Sequence, residues 1–87
     1  MKKYKYDLEE RLIKFSVEVI LFCKTLDGSF ASIHLSGQLI RYSSSTALNY
    51  REAQSAESHK DFVHKMKVCL KELRESLVNL KYLEELS

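Results

Sequence analysis

Residues 41–54 read RYSSSTALNYREAQ, and the fold turns on whether this stretch is a loop, a cluster of nucleophiles or the inside of a helix. The apolar period answers the question. Leu35, Leu39, Tyr42, Thr46 and Tyr50 fall on one helical line, and Phe30, Ile33, Gly37, Ile40, Ser44 and Ala47 fall on the line beside it. Because the period runs through the serines instead of stopping at them, a second helix is expected over 30–54. Small side chains there let a neighbouring helix come close, and their hydroxyls can bond back to carbonyls one turn earlier. Leucine at Ser44 is expected to overpack that contact. Gln38, Asn49 and Glu52 read as polar groups that hydrogen-bond between helices and fix their register, while Arg41 and Arg51 are the residues of the stretch that would meet a ligand.

Upstream, Asp7 followed by Glu10 just before an apolar run has the form of a capped helix start. Leu8, Leu12, Phe15, Val19, Phe22 and Leu26 then recur at steps of four and three, with Ile13, Val17 and Ile20 as a second stripe beside them. The first helix is expected over 7–27. Its wide apolar arc points to more than one neighbour. Asp27, Gly28 and Ser29 punctuate the chain, with Gly28 suited to a left-handed helix end and Ser29 or Ser32 to capping the next helix. Downstream, Gln54 to Ser58 lacks any apolar period, and Ser58 with Asp61 again marks a helix start. The third helix, over 58–86, presents Phe62, Met66, Cys69, Leu73, Leu77, Leu80 and Leu83.

Zero prolines and two glycines in 87 residues fit a few long elements joined by short turns. A chain of this length forms one domain, and its balance of 45% hydrophobic and 30% charged residues is that of a folded protein. The expected fold is therefore all-α, an antiparallel up-down array of three long helices forming a single domain over 1–87.

Chemistry is sparse in this sequence. His59 and His64 stand five residues apart, about 140° around a helix, so they cannot share a metal, and His34 matches no ligand spacing. No glycine elbow or acid–base pair surrounds Ser43, Ser44 or Ser45, which argues against a hydrolase. Arg51 and His59 are the nearest approach to a ribonuclease pair, but a predicted turn separates them. Glu9, Glu10, Glu84 and Glu85 lie at helix ends, where solvation is the ordinary reading. The two glycines form no phosphate loop. Cys23 and Cys69 match no zinc or redox spacing and read as reduced core thiols. MKKYKY runs directly into DLEER with no membrane-length apolar run, so a cytoplasmic location is expected.

The basic residues remain. Arg41, Arg51, Lys60, Lys65, Lys67 and Lys71 gather around the second turn and the third helix, joined by Lys2, Lys3 and Lys5. Scattered lysines are ordinarily a solvated face, and the net charge of +2 is too weak for a dedicated nucleic-acid-binding domain. Repeated around an assembly, the same residues would form a phosphate-contacting surface.

The segment from Gln38 to Ser76 resembles the small four-helix-bundle proteins encoded within intervening sequences of bacterial 23S rRNA genes. Gln38, Leu39, Arg41, Ser44, Asn49, Glu52, Ser58, Asp61, Phe62, Glu72 and Leu73 stand at the positions of that family's pattern: a Gln-Leu-x-Arg run, small residues, an Asn and a Glu, a Ser-x-x-Asp-Phe start and a Glu-Leu pair. The sequence departs from the pattern in its Ser-Ser-Ser-Thr-Ala segment and in lacking most or all of the fourth helix. The resemblance implies a bundle assembling into a ring such as a pentamer. It extends to accessory proteins of diversity-generating retroelements, which bind nucleic acid through a basic ring.

The combined expectation is a non-enzymatic homo-oligomer, larger than a dimer, that binds RNA or DNA through Arg41, Arg51, Lys60 and Lys65. It would use no cofactor, metal, membrane or small-molecule substrate. The competing expectation is a protein-interaction or scaffold module with no nucleic-acid role.

Overall fold

The computed structural model describes residues 7–86; Lys2, Lys3 and Lys5 lie outside them. Three helices follow in chain order: α1 (Leu8–Cys23), α2 (Phe30–Gln54) and α3 (His59–Leu86), with no strand among the described residues. α2 is the middle element. It packs along both α1 and α3, whereas no Cα of α1 comes within 8 Å of one in α3. Overall extents of 45 × 27 × 15 Å fit a splayed layer, since a closed triangle of helices would have two nearly equal short dimensions.

Side chains set the helix starts as the sequence requires. Asp7 accepts the Glu10 amide at 3.1 Å, Ser29 the Ser32 amide at 3.2 Å, and Ser58 the Asp61 amide at 3.1 Å, each satisfying an otherwise unpaired donor of a first turn. Asp61 also accepts the Glu57 amide at 3.2 Å, which closes the α2–α3 turn.

The end of α1 differs from expectation. The helix stops at Cys23, and the chain tightens into three-residue turns, with Thr25 donating to the Phe22 carbonyl at 2.9 Å and Leu26 to that of Cys23 at 3.3 Å. Gly28 does not adopt the left-handed conformation. Asp27 instead accepts the Ser29 amide at 3.0 Å, so a side chain makes the reversal that was assigned to glycine.

The apolar centre is small: Val19, Leu39 and Leu83, one from each helix, with Phe15, Phe22, Leu26, Leu35, Ile40 and Leu80 packed around it. Much of the remaining interior is short and polar. Ser43, Thr46 and Ser76 are all 0% exposed. Each donates its hydroxyl back to its own helix, to Ile40 at 3.2 Å, Tyr42 at 2.8 Å and Glu72 at 2.9 Å, so burial leaves no hydroxyl unsatisfied. The serine tract is thus the inside of a helix. Its deeply buried member is Ser43, however, and Ser44 is half-buried with its hydroxyl on the Ile40 carbonyl at 2.7 Å.

Of the two lines read on α2, the one through Leu39 and Thr46 is buried. The other begins in solvent, with Phe30 87% and Ile33 63% exposed. The first stripe of α1 faces inward as expected, through Leu12 and Val19, while Ile13, Val17 and Ile20 remain exposed and meet no second neighbour within the described residues.

Candidate interaction surfaces

The four basic residues singled out from the sequence do not converge. Arg41 is exposed midway along α2, with its guanidinium 4.9 Å from the Tyr42 ring centre. Arg51 is ten residues further on, about 15 Å along the helix axis. It is engaged by Glu9 at 3.0 Å, so Glu9 is a half-buried ion-pair partner and not a solvated end charge. Lys65 donates to Asp61 at 2.8 Å one turn earlier. That bond, aided by the Glu57 amide, holds the Asp61 carboxyl below its ordinary value, and the carboxylate in turn raises Lys65. Two of the four are therefore occupied within the chain, and Lys60 alone of the set joins a larger basic feature.

That feature runs along α3. Lys60, Lys67, Lys71, Arg74 and Lys81 are all exposed and make no ion pair among the described residues. At 100° per residue they share an arc of about 80° and extend over about 30 Å. Arg74 and Lys81 were not singled out from the sequence, although their spacing from Lys67 in steps of seven was there to be read.

The polar register residues are partly as expected. Asn49 is half-buried and donates to the Glu72 carboxylate across the α2–α3 contact. Gln38 is half-buried, whereas Glu52 is exposed on the outer side of α2, and its charge acts on Lys65 of α3. Cys69 is buried, its thiol directed at the Thr46 carbonyl at 3.4 Å, and burial with nearby Glu72 raises its pKa, so the thiolate is disfavoured. Cys23 is only half-buried. Among the described residues no group of three metal-ligating side chains forms, and no helix is long and apolar enough to cross a membrane.

The most distinctive surface belongs to α3, which carries two seams at alternating steps of three and four. One consists of Cys69, Glu72, Ser76, Asn79 and Leu83 and faces α2; the other consists of Met66, Leu70, Leu73, Leu77 and Leu80, turned about 100° away. The more apolar seam is the less covered: Leu70 is 45% and Leu77 48% exposed. Phe62 and Leu77, read from the sequence as part of one apolar face of the third helix, belong to this less covered side. Facing it across a gap stands α1, and the depression between the two helices is lined by Phe15, Glu18, Val19, Phe22 and Leu80. A second depression, lined by α3 alone through Arg74, Leu77, Val78, Lys81 and Glu84, shares Leu80 with it. α1 and α3 thus flank an apolar groove with α2 beneath it.

A second apolar area covers the outer side of α1 and α2: Ile13, Val17 and Ile20 on the first helix, and Ile33 on the second, around a depression that includes Gly37 and Ile40. Comparison with known protein families, with curated proteins and with solved structures finds no match for this chain.

Proposed function

We propose that this chain is a cytoplasmic, non-enzymatic interaction protein whose three helices are three of the four positions of an up-down bundle. The uncovered leucine seam of α3 carries the reading. In such a bundle the first and third helices sit diagonally, both touch the second, and a fourth fills the groove between them. The lack of close backbone approach between α1 and α3, with apolar side chains lining the depression between them, supports this placement. A helix entering the groove would cover Leu70 and Leu77 and remove their exposed apolar surface from water. The family resemblance at Gln38, Arg41, Asn49, Asp61 and Glu72 belongs to the same proposal, and so does the homo-oligomer, up to a ring such as a pentamer. Copies would meet through the other apolar area, around Val17 and Ile33.

Two measurements test the reading. Light scattering at tens of micromolar should give a mass above one chain, falling to one chain on Val17→Lys. A helical peptide with leucines at heptad a and d positions and uncharged glutamine flanks should bind the chain and be lost on Leu77→Gln. A single-chain mass together with no peptide binding overturns the proposal.

A second reading, nucleic-acid contact, is favoured by the exposed basic line of α3. Its contact residues would be Lys60, Lys67, Lys71 and Arg74 in place of Arg51 and Lys65. Retention of duplex DNA or structured RNA on filters should then fall steeply with salt, with a smaller slope when two of the lysines are removed. Retention no greater than that of a neutral control protein at low salt overturns it.

A further inference from the structure

We infer that the helix accepted by the α1–α3 groove is acidic: an amphipathic partner helix with leucine-like residues on one seam and Asp or Glu along its flanks. This rests on the docking reading above and names the chemistry of the occupant.

The rim of the groove carries the argument. On α3, Lys67, Arg74 and Lys81 each follow directly the seam residues Met66, Leu73 and Leu80. In heptad terms they occupy the flanking position that meets the charged flank of a partner helix and selects it. All three are exposed and make no ion pair among the described residues. The α1 rim adds exposed Lys14, and the carboxylates nearby are Glu18 on α1 and Glu84 and Glu85 at the end of α3. The other flank of the leucine seam is not open to a partner, because Cys69, Ser76 and Leu83 are buried.

The same geometry disfavours a second copy in this groove. Two α3 seams pairing antiparallel would set Lys67, Arg74 and Lys81 against their own kind, and like-charge flanks are a standard means of excluding a pairing. A parallel pairing would need the buried flank. The outward stripe of α1, through Ile13, Val17 and Ile20, has Lys14 and Lys24 beside it as well as Glu10 and is no better matched. An acidic helix instead sets carboxylates against all three α3 cations while its apolar seam covers Leu70, Leu73, Leu77 and Leu80. Desolvation of the leucines supplies the affinity, and the charges choose the partner and its orientation.

The test uses the full chain and two labelled 21-residue helical peptides (about three heptads). Both carry leucine at a and d, one with glutamate and the other with lysine at the flanks. By fluorescence anisotropy the glutamate peptide should bind at least about tenfold tighter at low salt, the gap narrowing as salt rises. Leu77→Gln should abolish binding of both peptides. Charge reversal at exposed Lys67, Arg74 and Lys81 to Glu should invert the preference, which separates charge selection from a loss of folding. Equal binding of the two peptides, unchanged by the reversal, overturns the acidic assignment and leaves the docking reading standing. A multimer that becomes a single chain on Leu77→Gln shows a second copy in the groove and overturns it too. If an oligonucleotide binds through the three cations and the glutamate peptide fails to displace it, those charges serve nucleic acid and the assignment is lost. Failure of the glutamine-flanked peptide as well would mark the docking reading itself as wrong.

Discussion

The two seams of α3 run side by side along one helix, and they invert the usual relation between hydropathy and burial. The seam facing α2 contains a serine, an asparagine, a glutamate and a cysteine, with Leu83 as its single large apolar member; the seam facing the groove is four leucines and a methionine. The small seam is covered because small residues admit close approach. Ser76 is fully buried on α3, and Ser43 is fully buried where α2 meets α1, its hydroxyl 3.4 Å from that of Ser16; a larger side chain at either would push the helices apart. The leucine seam is covered only in part: Leu80 packs against the core, whereas Leu70 and Leu77 stay exposed. Buried small residues set how closely the helices pack, and the exposed leucines are the surface that the proposed partner helix would cover.

Breaking the apolar anchor should have the largest effect. Leu83 is 1% exposed and meets Val19 and Leu39 at the centre of the core. Leu83→Ala should cost about 2–5 kcal/mol, enough to unfold much of the population of a domain this small. Urea denaturation followed by circular dichroism measures it.

The contrast between the seams is sharpest at adjacent positions. Ser76→Leu adds volume to a site with 0% exposure and should destabilise by about 1–3 kcal/mol. Leu77→Ser, one residue on and 48% exposed, should change the stability of the isolated chain by no more than about 0.5 kcal/mol. Equal losses at the two positions would mean that the leucine seam is already covered and that the proposed groove does not exist.

A smaller loss is expected at the polar link between the helices. Asn49→Ala removes the donor to Glu72 and leaves a half-buried carboxylate short of a partner, at about 1 kcal/mol. The double change with Glu72→Gln should cost less than the sum of the single changes, because the two side chains share one interaction.

The sequence made the number of helices, their starts and the helical nature of the serine tract legible, since capping residues and periodicity are local signals. It misassigned α3 for a physical reason. Periodicity weighs large apolar residues most heavily, so it merges Leu73, Leu77 and Leu80 with Cys69 and Leu83 into one apolar stripe, of which Leu80 does pack against the core while Leu77 is exposed. Ser76 and Asn79, which are buried, contribute almost nothing to such a signal. The candidate cations failed differently: whether Arg51 and Lys65 are free depends on Glu9, 42 positions away, and on the rotamer that Lys65 adopts over Asp61. The alternating spacing from Met66 to Leu80 was present in the sequence, but nothing local distinguishes a seam that meets its own chain from one that does not.

Gly37 offers the finest test of what the outer face of α2 is for. It lies inside a helix without a left-handed conformation, and a Cβ built there would meet nothing within 4 Å. The isolated chain therefore gains nothing from glycine, which costs about 0.5–1 kcal/mol relative to alanine in a helix interior. Gly37→Ala should accordingly raise the melting temperature of the single chain by several degrees, since about 1 kcal/mol moves a domain of this size by 4–8 °C. Gly37 also lines the depression beside Ile20, Ile33 and Ile40, on the face assigned to contact between copies. If copies pack there at the distance glycine permits, the added methyl weakens assembly while it stabilises the protomer. Opposite signs for melting temperature at low concentration and mass at high concentration would place the neighbouring chain against Gly37. A rise in stability with assembly unchanged would move the contact elsewhere on the outer face and leave the groove between α1 and α3 untouched.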